Sequence, residues 1–320
     1  MTTSGQTELR YTLNEILEEA FQELQIASQG ESLEGDMLRN GRRTLNRMIQ
    51  EWQAQGIHLW TYTDGTLFLQ KGQIEYDFGT EKLANRSFKQ NTTAAASATD
   101  TVISLDSVDN VNDTDNIGII LADQSIQWTT VSGAPAGLDV TLADPLEQDV
   151  ISSAAVFTYS STDVFKPVSR IMNNNVRRVD QNEQEIPVNS YNRQQYNELP
   201  FKTQLGFPVA VYYTRQDTSD STGTMFVWNA PQTAELFLKF TYERLLEVFG
   251  EADGLKTLDF PMYFQEAIIM NLAKRLMKKY GVTDPELVNE IKENAITSLD
   301  QALSYDNSTT NFQIRMFRWD

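Results

Sequence analysis

The stretch LDFPMYFQEAIIMNLAKRLMKKYGV, Leu258 to Val282, is the most hydrophobic helical passage in a chain that is otherwise acidic and polar. On a helical wheel Met262, Tyr263, Ile269, Met270, Leu272, Ala273, Leu276 and Met277 share about half the circumference, which predicts a core-facing stripe. Phe264 and Ile268 are left on the opposite side, among Asn271, Arg275, Lys278 and Lys279. A β layer covering these two is one reading. The other is a neighbouring subunit's helix hairpin, which makes Phe264 and Ile268 the expected intersubunit contact. The Lys278-Lys279 pair suits the negative end of a helix dipole, just before Gly281 ends the helix.

Three further helices are expected around this one. YTLNEILEEAFQELQIA places Leu13, Ile16, Leu17, Ala20, Phe21 and Leu24 on one face, with Thr12 and Glu15 spaced as a capping box. MLRNGRRTLNRMIQEWQAQG repeats the pattern with Leu38, Leu45, Met48, Ile49 and Trp52, and Gly56 is placed to end it. The short connection makes the two an antiparallel hairpin. Towards the other end, TDPELVNEIKENAITSLDQAL begins with Asp284 as a cap and Pro285 at the first helical position.

Between these helices the period drops to two. IHLWTYTDGTLFLQKGQIEYDFG, with turn signals at Asp64-Gly65 and Lys71-Gly72, predicts an antiparallel meander. NRSFKQNTTAAASATD then shifts to small polar residues and opens a self-contained insert. Inside it TVISLDSV, NIGIILAD, SIQWTTV, LDVTLAD and AAVFTYS recur at the spacing of a small barrel or sandwich. A second β run, from VFKPVSRIMNN to AELFLKFTYERL, completes the earlier sheet. The expected organisation is a helix hairpin over 1–58, a β meander over 59–85, an inserted β domain over 86–160, a returning β region over 161–257, two helices over 258–304, and an extended tail over 305–320. The fold class is α+β: a helical bundle, an antiparallel β layer and an inserted small β barrel or sandwich.

With 40% hydrophobic and 22% charged residues the chain falls in the globular range rather than the disordered one. Against 44 Asp and Glu there are 26 Lys and Arg in short clusters, so no phosphate-neutralising patch for gripping nucleic acid is visible. Cysteine is absent, which excludes a disulfide framework and a thiolate nucleophile. MTTSGQTELRYTL lacks the pattern of a cleaved signal, and no membrane span is expected.

Catalytic signatures are missing from the sequence. His58 is the single histidine and reads as structural. DNVNDTDNIG, Asp109 to Gly118, alternates Asp and Asn as calcium loops do, but an EF-hand started at Asp113 would place Gln124 where a bidentate Glu belongs. The loop therefore reads as a turn. Glu243 with Glu247, or Glu251 with Asp253, offers the paired carboxylates of glycoside hydrolysis, and a solvated face explains them as well. No phosphate-binding, dinucleotide, zinc-protease or serine-hydrolase motif occurs, so neither cofactor nor metal is expected. In the tail, Phe312, Ile314 and Met316 alternate with polar residues and are followed by Phe317 and Trp319, the pattern of a strand docking on a partner with Arg315 and Arg318 as charged contacts.

LNEILEEAFQELQIA, LRNGRRTLNRMIQEWQAQGIHLW, GFPVAVYY, TGTMFVWNAPQ, FTYERLLEVF and LDFPMYFQEAIIMNLAKRLMKKYGV, in that order, resemble the head-to-tail adaptor proteins of short-tailed bacteriophages, the tail tubular protein A group. The resemblance covers roughly residues 8–80 and 165–300 and departs at the insert and the tail. It implies a dodecameric ring docked beneath the portal protein, retaining packaged DNA and carrying the tail nozzle and the tail fibres or spikes. DNA would pass through the lumen unbound, aided by an acidic wall, and on ejection leave by the same route. The portal would be the tail's partner, and the protein would be a virion neck component assembled in the host cytoplasm, not an enzyme. Two alternatives stand beside this: a peptidoglycan-cleaving virion enzyme using the paired carboxylates, and a receptor- or glycan-binding module using Trp128, Phe157 and Tyr159 of the insert.

Overall fold

The computed structural model describes residues 10–28, 30, 32–56, 61–180, 182–215 and 223–307. The chain is mixed α+β and divides into two units: Met1–Trp60 with Leu246–Asp320, and Thr61–Leu245.

The first unit is helical. Its elements are α1 (Leu13–Glu23), α2 (Gly35–Gln55), α4 (Gln265–Tyr280) and α5 (Pro285–Asn307); α3 (Arg193–Asn197) belongs to the second unit. The capping box forms as spaced, with Thr12 and Glu15 exchanging bonds across the start of α1. Two more of that helix's orphan donors are met by the returning chain: Leu13 N–H donates to Lys256 O at 2.9 Å and Asn14 N–H to Gly254 O at 3.0 Å. Asn46 on α2 makes a reciprocal pair with Phe249, donating to its carbonyl at 2.9 Å and accepting its N–H at 3.1 Å. These bonds stitch residues 249–257 onto both helices of the hairpin. Gly41 lets α1 approach α2 closely, since a Cβ there would lie 2.7 Å from Leu17 Cδ2.

The core of this unit is built around α4. Leu13, Ile16, Leu17, Ala20, Phe21, Leu45, Met48, Ile49 and Trp52 from the hairpin, and Ile291 and Ala302 from α5, all join one buried cluster with its residues. Because α4 has helices on several sides, the side that the wheel assigned to solvent is exposed only towards its end, at Lys278 and Lys279. Phe264 and Ile268 are both 0% exposed, so the expectation of an intersubunit contact at these positions is overturned, and helices of the same protomer cover them. A local effect acts on Met262: Met262–Phe264 is a 3-10 turn, which advances about 120° per residue instead of 100° and so displaces Met262 from the face the wheel gives it. The Phe264 ring packs 6.4 Å from Trp52 and 6.0 Å from Phe260, while Met262, expected in the core, is exposed. Asn271 joins the interior by donating to Ala295 O across the helix pair at 2.9 Å. Lys279 does more than offset a dipole, since its ammonium donates to Thr44 Oγ1 on α2 at 2.6 Å.

The second unit is β-rich. One sheet has the order β11 (Glu185–Pro187), β10 (Val168–Val179), β17 (Phe237–Arg244), β1 (Tyr62–Phe68) and β3 (Leu83–Ala84). Another runs β12 (Asn189–Ser190), β14 (Ala210–Thr214), β15 (Thr224–Trp228) and β2 (Glu75–Asp77). The expected meander is therefore not formed: β1 and β2 lie in different sheets, and β1 runs straight through Asp64-Gly65 while pairing with β17. Gly65 is kept small by packing, because a Cβ would meet Phe165 at 2.9 Å and Phe240 at 3.0 Å.

The segment read as an insert holds a four-stranded sheet, β4 (Phe88–Asn91), β9 (Ala155–Tyr159), β6 (Asn116–Ile120) and β7 (Ile126–Thr130), with the pair β5 (Val102–Ser104) and β8 (Asp139–Thr141). Neither closes into a barrel. One face builds its own core from Ile103, Leu105, Ile117, Ile119, Val140 and Val156. The other face buries Phe157 and Tyr159 against Phe68, Val179 and Phe237 of the larger sheet. All five residues of β9 are buried, so this segment is not self-contained. The last pair, β13 (Leu205–Gly206) and β16 (Ala230–Pro231), is parallel.

Candidate interaction surfaces

The residues singled out for chemistry are engaged structurally. Asp115 closes the DNVNDTDNIG turn, accepting Asn112 N–H at 2.9 Å, and Asp113 accepts Gly133 N–H at 2.7 Å. Glu243 is almost wholly buried in its sheet and accepts from Arg170 Nε at 2.5 Å. Glu251 pairs with Arg42 at 3.2 Å, and Asp253 pairs with Lys256 at 2.8 Å and caps Gly250 N–H. These carboxylates tie turns and strands together. His58 and the tail residues Phe312, Ile314, Arg315, Met316, Phe317, Arg318 and Trp319 lie outside the described residues.

Of the aromatics proposed for glycan stacking, Phe157 and Tyr159 are buried and Trp128 is half-buried. Phe157 is 1% exposed, and Tyr159 stacks on Phe68 with ring centres 5.9 Å apart. Trp128 packs edge-on against the same Phe68 at 4.8 Å. That correction follows from β9 having partners on both faces, which a period-two pattern does not reveal.

Several clefts open among the described residues, and two are lined by more than one charged side chain. One, about 480 Å³, is lined by Asp64, Asn85, Arg86, Arg177, Glu185 and Lys239 among others. Its charges answer one another: Glu185 bridges Arg177 at 2.8 Å and Lys239 at 3.1 Å, and Asp64 accepts from Thr241 at 2.7 Å. The two cations hold the Glu185 carboxyl below the usual range. The second cleft lies between α1 and α5, lined by Glu19, Glu23, Glu290, Leu287 and Ile291. Here the Glu23 carboxyl is pushed up, first by burial and then by Glu266, Glu19 and Glu290.

A different surface emerges on the loop from Pro200 to Val209. Phe201 is 82% exposed, and Leu205, Phe207 and Val209 are also exposed. The loop is nevertheless held firmly. Gln204 N–H donates to Phe201 O at 3.0 Å, Trp228 Nε1 to Pro200 O at 3.2 Å, and Asn229 Nδ2 to Phe207 O at 3.4 Å. Beneath it the buried Arg178 donates to Pro208 O at 3.1 Å and lies 4.7 Å from the Phe207 ring centre. Phe201 has φ +44°, a left-handed conformation that costs a side-chain-bearing residue about 1–2 kcal/mol. Sequence reading absorbed GFPVAVYY into a strand. The signal that marks it is punctuation, with Pro200, Gly206 and Pro208 interleaved among apolar residues.

Comparison with known proteins adds little. No family model and no curated protein matches the chain. Among solved structures it is similar to VP17, a capsid protein of bacteriophage P23-77, at 12% identity over 60% of this chain and 75% of that one, with a TM-score of 0.12. A likeness at that score carries no argument about fold or function. No described helix is long and apolar enough to cross a membrane.

Proposed function

We propose that the protein is the head-to-tail adaptor of a short-tailed bacteriophage, a virion structural protein that forms a ring beneath the portal, retains packaged DNA and carries the tail. One observation carries the reading. The two ends of the chain build a single helical unit around α4, and the β unit is an excursion between Trp60 and Leu246. That is the order of parts on which the sequence resemblance rests. In this reading the helical unit is the adaptor's bundle, the strands of the larger sheet are its β layer, and residues 86–160 are an inserted β domain fused to that layer.

The acidic character supports the same role. Glu19 and Glu23 on α1 line a cleft together with Glu290 of α5, and a wall of this kind repels phosphate and lets DNA slide. The ring is proposed to be dodecameric, with portal, nozzle and fibres or spikes as partners, no enzymatic activity, and the tail docking on the portal through Phe312, Ile314, Met316, Phe317 and Trp319; it starts at 308 rather than 305, because α5 runs through Asn307. Neither alternative is favoured by a specific observation, since the paired carboxylates and the insert's aromatics have structural partners.

The test is co-sedimentation of the purified chain with portal rings of the same phage. Binding is expected, and its loss on deleting residues 308–320 with an unchanged circular dichroism spectrum would support tail docking. Failure of the full-length chain to bind any portal preparation would overturn the proposal.

A further inference from the structure

We infer that the flank where α2 meets the end of α4 is a phosphate-binding site, formed by Arg43, Arg47 and Lys279, and that its ligand is the sugar-phosphate backbone of nucleic acid. It holds whether or not the chain forms a ring.

Along the chain, Arg42-Arg43 and Lys278-Lys279 are two short cationic runs, neither long enough to neutralise a row of phosphates. The fold joins them. Lys279 Nζ donates to Thr44 Oγ1 on α2 at 2.6 Å, and Arg275 Nη1 pairs with Glu51 at 2.9 Å, so the last turns of α4 lie along the middle of α2. Together the two helices carry eight cations and three acids, on a chain whose net charge is −18. Each acid is engaged elsewhere: Asp36 by Arg39, Glu51 by Arg275, while Glu266 sits in the first turn of α4, at the far end from Lys279. Arg42 is held by Glu251. Arg43, Arg47 and Lys279 are exposed, with no ion pair among the described residues.

The three are also poised for an anion. Arg47 Nε donates to Arg43 O at 3.2 Å, which fixes the base of the guanidinium and, among the described residues, leaves both Nη groups unbonded. Lys279 keeps two N–H groups after its bond to Thr44. Crowding these cations has a cost. Arg43 and Arg47 are like charges four residues apart, which weakens a helix, and burial together with the nearby Arg47 pushes the Lys279 ammonium down. A helix dipole accounts for Lys278 and Lys279 at the end of α4, but not for Arg43 and Arg47 in the middle of α2. An anion seated among the three relieves both costs.

Charge and spacing decide the class of ligand. A single carboxylate matches one cation, whereas three unpaired cations match a polyanion. Arg43 and Arg47 stand about 6 Å apart along the helix axis, against about 3.4 Å of axis per phosphate on one DNA strand, so the row spans about two phosphates. All three side chains are cations, which position a phosphate backbone without reading bases, so the contact is independent of sequence. The acids elsewhere on the chain oppose it, which puts its affinity in the non-specific range, Kd about 10⁻⁴–10⁻⁶ M at physiological salt.

The test uses the full chain and a labelled DNA duplex of mixed sequence, followed by fluorescence anisotropy. Affinity is expected to fall about fortyfold between about 50 and 200 mM salt, the dependence for about three phosphates. Arg43→Ala with Arg47→Ala, both at exposed positions, should weaken binding by about tenfold or more at the lower salt and take about two charges off that dependence. Lys292→Ala, which removes an exposed cation of α5, should leave both unchanged. A wild type that binds neither the duplex nor inorganic phosphate, or a double variant with wild-type affinity and salt dependence, overturns the site. Inorganic phosphate that raises the Tm of the wild type but not of the double variant, with no duplex bound, keeps the site and overturns nucleic acid as its ligand. Salt-sensitive self-association that the double variant loses, with neither ligand bound, replaces phosphate with the acidic surface of a second copy.

Discussion

In the helical unit Thr12 finds its capping partner three residues away, whereas in the β unit Asp64 is bonded by Thr241, 177 residues later. The contrast runs through both interiors. The helical core collects residues at helical spacing from four segments, and each of those segments also carries local signals for where it begins or ends. In the β unit local hairpins such as β6 with β7 are joined by pairings far along the chain, β1 with β17 above all, and one strand, β9, is buried on both faces by partners from separate parts of it. Local rules therefore shape one unit and long-range pairing the other.

The sharpest way to break this comparison is to hollow out the helical unit alone. Phe264→Ala removes a fully buried ring beside Trp52 and Phe260 and is expected to cost about 3–5 kcal/mol. Hydrogen exchange should rise in α1, α2 and α4 while β1, β10 and β17 keep their protection. Equal loss in both units would mean that they unfold as one. The reciprocal change is Gly65→Val in β1, which forces a side chain against Phe165 and Phe240. It is expected to cost about 1–3 kcal/mol and to speed exchange in β1 and β17 only.

Smaller changes probe the caps and charges of α1. Thr12→Ala removes the side-chain half of the capping box and should lower stability by about 1 kcal/mol in denaturant melts. Glu15 and Glu23 on the same helix should respond to pH with opposite signs. Bonds from Thr12 depress the Glu15 carboxyl, so its contribution is present above the ordinary glutamate value and is lost as pH falls through the lowered one. Burial and three neighbouring acids raise the Glu23 carboxyl, so its contribution is present below the ordinary value and is lost as pH rises through the raised one. Glu23→Gln should therefore stabilise the chain near neutral pH, by about 0.2–0.5 kcal/mol for relief of the Glu19 pair alone, and the gain should vanish in acid.

The same contrast explains which parts were legible in the sequence. The helices, the Thr12–Glu15 box, the left-handed ends at Gly56 and Gly281, and the start of α5 at Pro285 all follow from neighbours within a turn or two. The strands within 102–159 were visible from their spacing. Hidden were the facts that depend on distant chain: that β1 and β2 part into different sheets, that Phe157 and Tyr159 face an interior, and that helices on several sides bury Ile268. Met262 departs from the core for a local reason, because a wheel drawn through residue 262 takes no account of the 3-10 turn. The exposed loop was missed because its apolar residues resemble a strand until Arg178, Trp228 and Asn229 are seen holding it open.

The central claim is that a helical unit made from both ends of this chain serves as a ring beneath a portal. Single-particle imaging of the purified protein mixed with its portal tests that most directly. The account predicts a coaxial ring seated on one face of the portal, with twelve copies related by rotation about the channel. Portal particles left bare at saturating protein, or decorated by copies without rotational order, would contradict it.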